Sequence, residues 1–253
     1  FDVVGFDPRG VGRSTALRCF GNLRQSTRVF APFAFPLTPE DEALVVAGVR
    51  LLAEQCAQRG SRVRDHMSTA NVARDLDRLR AAVGDAQLNF VGLSYGSFLG
   101  NTYANMFPDR VRALVIDGVL DPVAWVNAEA QVPFSTRLRS DTGAQETLRR
   151  FFELCDAAGA NCAFGPGSEA RFAALADRLR DDGPVLVTDP FTGEQFPLGY
   201  SDLIEITLGA LYDPFSLPFL AEFLTAIEAS PPAALDAAFA DLARANGLIS
   251  KRG

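Results

Sequence analysis

Leu88-Asn89-Phe90-Val91-Gly92-Leu93-Ser94-Tyr95-Gly96-Ser97-Phe98-Leu99-Gly100 is the stretch whose reading decides the fold. The short apolar run from Leu88 to Leu93 predicts a buried strand, and Tyr95 to Phe107 predicts a helix. Gly92-Leu93-Ser94-Tyr95-Gly96 therefore falls on the turn between them, a G-x-S-x-G nucleophile elbow in the context that motif requires. So sharp a turn strains its central residue, and Gly92 and Gly96 are expected to leave out β-carbons that would collide where strand and helix nearly touch. Ser94 should then project its hydroxyl clear of the sheet, at the positive end of the following helix. The backbone N–H of Tyr95 is the natural first donor of an oxyanion hole. The alternative is a glycine-rich turn carrying a solvated serine; the flanking strand and helix favour the elbow.

Upstream, Phe1-Asp2-Val3-Val4-Gly5-Phe6 predicts another apolar strand that begins at the first residue. A terminal charge needs solvent that a buried strand denies it, so residues are expected to precede Phe1. Asp7-Pro8-Arg9-Gly10-Val11-Gly12-Arg13-Ser14 follows as a glycine-rich loop. It has neither a Lys-[Ser/Thr] after glycine nor a strand-to-helix Gly-x-Gly-x-x-Gly, so a turn at the carboxyl edge of a sheet fits better than a phosphate cradle. Thr38-Pro39-Glu40-Asp41 starts a helix, with Thr38 as N-cap and acids near the positive dipole end. Leu44, Val45, Val49, Leu52 and Cys56 would form its apolar face, and Gly60 its end. A second helix opens near Ser68 or Thr69, carries Val72, Leu76, Leu79 and Val83 at helical spacing, and stops at Gly84. Pro108 closes the helix after the elbow, and Val111 to Ile116 predicts a further buried strand.

The order strand, helices, strand, helix, strand, with continuous apolar runs, predicts an α/β core over residues 1–121: a parallel sheet with helices on both faces. A ligand site in such a sheet lies beyond the carboxyl ends of its strands, where Ser94 sits. After Asp121-Pro122 helical patterns dominate, at about 145–158, 168–181, 201–212, 217–228 and 232–245. One hairpin, Val185 to Thr188 with Glu194 to Phe196, interrupts them. Residues 122–253 are therefore expected to form a mainly helical cap over the elbow.

At 253 residues and 48% hydrophobic, the chain can bury a sizeable core. Its net charge of −7 argues against a nucleic-acid partner, which needs a basic face. No apolar run approaches the roughly 18 residues of a membrane span, so none is expected. Cys19, Cys56, Cys155 and Cys162 lack metal-ligand spacing, and with a single histidine no metal or other cofactor is expected. An even count suits two disulfides in any of three pairings. Cys155 and Cys162 flank a tight turn and are the easiest to close, which would leave Cys19 with Cys56. Two disulfides favour an oxidising compartment, and four buried thiols are the alternative.

These residues together resemble the α/β-hydrolase fold, and within it the secreted actinobacterial peptidases of the proline iminopeptidase and tripeptidyl aminopeptidase group. The resemblance rests on Phe1 to Thr15, Ala73 to Arg80, the elbow, and Phe107-Pro108-Asp109-Arg110-Val111 through Asp117-Gly118-Val119-Leu120-Asp121-Pro122, about half the chain. It implies secretion to the medium or cell envelope, disulfides, and a serine hydrolase acting on a peptide or ester. It also implies the chain order serine, acid, histidine. The one histidine, His66, precedes Ser94 and is read as a partly exposed structural residue. Asp117 occupies an alternative position for the acid but reads equally well as a turn with Gly118. The family's His-Gly-Gly-type oxyanion loop and its later acid and histidine have no match, so the chain is expected to be a segment of a longer hydrolase, its remainder elsewhere or in another chain.

The mechanism implied is attack by Ser94 on a carbonyl, oxyanion support from the Tyr95 N–H, and an acyl-enzyme released by water, with acid and base supplied from outside the chain. An aminopeptidase also needs an acidic partner for the substrate ammonium, and Glu129, just past the core-to-cap junction, is the candidate. The same core would serve an esterase. The reading from another class is a non-catalytic binding protein that has lost its triad.

Overall fold

A computed structural model describes residues 2–31, 33–127, 131–188 and 193–233 of the chain. Two compact units divide it, Phe1–Thr27 with Arg50–Ser140 and Arg28–Val49 with Asp141–Gly253. In chain order the first elements are α1 (Leu23–Ser26), α2 (Pro39–Arg59), α3 (Thr69–Ala82), β1 (Leu88–Leu93), α4 (Tyr95–Met106) and β2 (Val111–Asp117). Then follow α5 (Pro122–Val126), α6 (Phe134–Arg137), α7 (Ser140–Ala158), α8 (Ser168–Asp181), β3 (Val185–Thr188), β4 (Gln195–Leu198), α9 (Tyr200–Ala210) and α10 (Leu217–Ala229). Among the described residues no helix is long and apolar enough to cross a membrane.

In the first unit β1 and β2 pair in parallel, with Gly92 opposite Ile116 and Leu93 opposite Asp117. A parallel pair needs a crossover, and α4 supplies it by packing back on both strands while α3 packs against α4. Ala73, Leu76, Leu88, Leu99 and Tyr103 form the buried core between them. Ser68 caps α3, its hydroxyl accepting the Asn71 N–H. Asp77 of α3 then ties the helices together: it accepts from the buried Tyr103 hydroxyl at 3.1 Å and from Arg80 Nε at 3.1 Å, and pairs with Arg110. A disulfide joins Cys19 to Cys56.

Two expectations are corrected here. Residues 2–6 form no strand; Val3 is 96% exposed and only Phe6 reaches the core. An apolar run becomes a strand only through a ladder, and among the described residues β1 is paired with β2 alone. The loop that follows is held by side chains instead: Arg9 grips the Asp75 carboxylate through Nε at 2.7 Å and Nη2 at 2.6 Å, and Asp7 accepts the Arg13 N–H. On the strand pair itself Val91, Leu93 and Val115 are 69%, 65% and 58% exposed. Second, the predicted apolar face of α2 is turned outward, since Leu44, Val49 and Leu52 are exposed. Its one buried position is Gly48, where a β-carbon would overlap the Val29 carbonyl oxygen, so close backbone approach outranks the apolar stripe.

The second unit is built around Phe151, Phe152, Phe164, Leu175, Leu203, Leu220 and Leu224, with partners from α7 to α10 and the β3–β4 hairpin. The antiparallel hairpin pairs Val185 with Leu198 and Thr188 with Gln195, so its second strand lies later in the chain than expected. Arg171 holds Glu228 through both oxygens, and Arg178 donates to the Ile227 and Glu228 carbonyls at the end of α10. The predicted helix over 232–245 lies outside the described residues from 234 onward. Its first residue, Pro232, bridges to Val185 rather than starting a helix. A second disulfide joins Cys155 to Cys162, so both expected pairs form.

Candidate active site

Ser94 sits between the end of β1 and the first residue of α4, at φ 53° and ψ −119°. Few residues other than glycine accept a positive φ, and holding one there costs about 1–3 kcal/mol. Close approach of strand and helix forces the conformation: a β-carbon at Gly92 would overlap the Gly96 carbonyl oxygen. Gly96 is different, since a β-carbon there meets nothing within 4 Å. The expectation that both glycines avoid a collision therefore holds at Gly92 and is corrected at Gly96, whose backbone is the obstacle and not the obstructed position.

Backbone and side-chain bonds fix the turn. The Ser94 N–H donates to the Asp117 carbonyl at 2.9 Å, tying the turn to the end of β2. The Ser94 carbonyl accepts the Ser97 N–H at 2.9 Å and the Ser97 hydroxyl at 2.6 Å. That hydroxyl in turn accepts the Leu120 N–H at 3.0 Å, so one buried oxygen joins the elbow to the loop after β2. Ser97 is 1% exposed, whereas Ser94 is exposed and its hydroxyl caps no backbone N–H. An exposed serine on an anchored backbone is the combination a nucleophile needs.

Tyr95 opens α4, where helix geometry gives a backbone N–H no partner of its own. Its ring hydroxyl bonds the Thr69 hydroxyl at 2.6 Å, joining the starts of α3 and α4. Asp117 ends β2 and is exposed, its carboxylate accepting the N–H of Gly118 at 2.7 Å in the turn that the Asp-Gly pair suggested. His66 is exposed, and its backbone carbonyl accepts from Arg9 Nη1 at 3.0 Å and Asn71 Nδ2 at 3.1 Å. Among the described residues no hydrogen bond joins the His66 ring to Ser94. Glu129 lies outside the described residues.

The Ser97 bridge and the Arg9–Asp75 pair were not singled out in the sequence. Ser97 had a signal: it is a hydroxyl three residues into a helix otherwise lined there by glycine and apolar residues, at the spacing that reaches back to the turn. Arg9 and Asp75 are 66 residues apart, and nothing local pairs them.

Comparison with known proteins agrees with this geometry. Serine protease Hip1 of Mycobacterium tuberculosis is 36% identical over 219 residues, 85% of this chain and 41% of its own length. Tripeptidyl aminopeptidase of Streptomyces lividans is 46% identical over 125 residues, 48% of this chain and 22% of its own. Carboxylesterase B of Mycobacterium tuberculosis is 34% identical over 233 residues, 90% of this chain and 42% of its own. The chain thus spans less than half the length of these relatives. Residues 1–161 match the family described as alpha/beta hydrolase fold, a stretch that takes in β1, the Ser94 turn, α4 and β2, and the chain belongs to that family.

Proposed function

We propose that this chain carries the nucleophile of a serine hydrolase. Ser94 attacks a substrate carbonyl, the Tyr95 N–H helps hold the oxyanion, and water releases the acyl group. The observation that carries the reading is the exposed Ser94 hydroxyl on a strained, doubly anchored turn. A histidine and an acid from outside the described residues complete the site. Without its base a serine hydrolase loses on the order of a million-fold in kcat, so residues 1–253 alone are expected to be nearly inert. The full-length protein should label stoichiometrically with a fluorophosphonate at Ser94, and Ser94→Ala should abolish labelling. Absence of labelling in the wild type rejects the nucleophile and favours a binding protein of the same fold.

The substrate reading is a peptide cleaved near its free N-terminus, supported by the likeness to the tripeptidyl aminopeptidase and serine protease relatives. The mainly helical residues 122–253 would serve as the cap, and Glu129 would pair with the substrate ammonium. Peptide amides with free and blocked N-termini test this: equal rates on both reject it, and Glu129→Gln should raise KM on the free-amine substrates alone. A second reading, an esterase, is favoured by the carboxylesterase relative, which matches 90% of the chain. Two disulfides support export to the medium or cell envelope.

A further inference from the structure

The first unit carries an aromatic surface that belongs to no hydrophobic core. Tyr95 and Phe134 are 45% and 49% exposed although each presents a large ring. Between them lies Trp125, edge-on to Tyr95 at 5.6 Å and tilted on Phe134 at 4.5 Å between centroids. Phe98 meets the Tyr95 ring at 5.6 Å. None of these four belongs to either buried cluster.

The rings are held rather than loosely displayed. Thr69 fixes the Tyr95 hydroxyl, and Asp121 caps α5 by accepting the Val123 and Ala124 N–H groups at 2.8 and 3.2 Å. At the other end the Arg137 guanidinium donates to three carbonyls: Ala124 at 2.6 Å, Trp125 at 3.1 Å and Val132 at 2.6 Å. One cation thus locks the short helix that carries Trp125 to the segment that leads into Phe134. Apolar surface kept rigid and in water is unfavourable unless a ligand or a further part of the protein covers it.

Position in the chain says what covers it. Tyr95 follows Ser94 directly, its Cα about 3.8 Å from that of Ser94, so the aromatic surface begins at the nucleophile's own turn. From Pro122 to Val126, α5 bears no charged side chain, and Val123 and Val126 are exposed. A charged substrate group would be desolvated there without a counter-ion, whereas an aromatic one gains edge and face contacts.

The geometry points to Tyr95, Trp125 and Phe134 as the subsite for the side chain attached to the carbonyl under attack, selecting an apolar and above all aromatic acyl group. This rests on the reading of Ser94 as nucleophile and names its substrate class. The test uses the full-length protein with p-nitrophenyl acetate and p-nitrophenyl 3-phenylpropionate, which need no ammonium site. Wild type should favour the phenylpropionate in kcat/KM, and Trp125→Ala should lower the ratio of the two values roughly 10–100-fold, the range one apolar pocket commands. Phe134→Ala should lower it less. A role in folding alone reduces both esters together and leaves the ratio where it was, which would overturn the subsite, as would a wild type without the preference. Should Trp125→Ala melt without cooperativity, Trp125→Leu keeps the bulk, loses the flat ring, and must still lower the ratio. If the wild type neither cleaves the acetate nor takes the fluorophosphonate, the nucleophile itself is rejected, a result distinct from an active enzyme without acyl preference.

Discussion

At the scale of single residues, the strain at Ser94 is balanced by hydrogen bonds on both sides of it. Ser97 is the least replaceable of these partners, because its hydroxyl satisfies the Ser94 carbonyl and the Leu120 N–H at once. Ser97→Ala takes its partner from the part-buried Leu120 N–H, at a cost of about 1 kcal/mol, and frees the turn to relax. Fluorophosphonate labelling of the full-length protein should slow at temperatures where the variant is still folded, and Ser97→Thr, which keeps a hydroxyl, should recover most of the rate. Labelling by Ser97→Ala at the wild-type rate would show that the bridge is not needed. The two motif glycines should also part company. Gly92→Ala places a methyl against the Gly96 carbonyl, backbone that cannot swing aside, and should lower the melting temperature and abolish labelling. Gly96→Ala meets open space inside a helix and should be neutral or up to about 1 kcal/mol stabilising. Sequence reading found the elbow because residue types at fixed offsets suffice for it; the difference between its glycines lies in interatomic distances that the motif does not contain.

At the scale of elements, Asp77 joins α3 to α4 and to the approach to β2 through Arg80, Tyr103 and Arg110. Burial works against its charge, but hydrogen bonds from Arg80 and Tyr103, with the charges of Arg110 and Arg80, outweigh it and hold its carboxyl below the usual carboxylate range. A folded-state pKa below the unfolded one adds stability that is complete above the ordinary value of about 3.9 and is lost as pH falls through the lower, folded one. Asp77→Asn should therefore lower stability near neutral pH, since it takes from Arg80 and Arg110 their shared counter-charge. Denaturant unfolding should show the gap between wild type and variant constant down to about pH 5 and narrowing below about pH 4. A gap independent of pH would mean that the Asp77 charge is not what joins the helices. Elements with a strong local signal, such as α3, β1 and α4, were legible in the sequence. Those decided by distant partners were not: residues 2–6 have strand composition without a ladder, and α2 packs through Gly48, which no apolar periodicity marks.

At the scale of the whole molecule, the two units are stabilised differently. The second has the larger buried cluster, whereas the first has a small one and leaves Val91, Leu93 and Val115 in solvent. The first should lean more heavily on its covalent link. Cys19 and Cys56 are 37 residues apart and Cys155 and Cys162 only 7. Chain-entropy arguments give about 4 kcal/mol for the longer loop and about 2.5 for the shorter. The single tryptophan, Trp125, lies in the first unit and reports on it alone, while far-UV ellipticity is dominated by the helices of both. Replacing Cys19 and Cys56 by serine should move the tryptophan transition in guanidinium to markedly lower denaturant. Replacing Cys155 and Cys162 should shift part of the ellipticity change and leave the tryptophan transition in place. If either pair of substitutions moves both signals equally, the units unfold as one, and the stability of the Ser94 turn is set by the whole chain rather than by the unit that contains it.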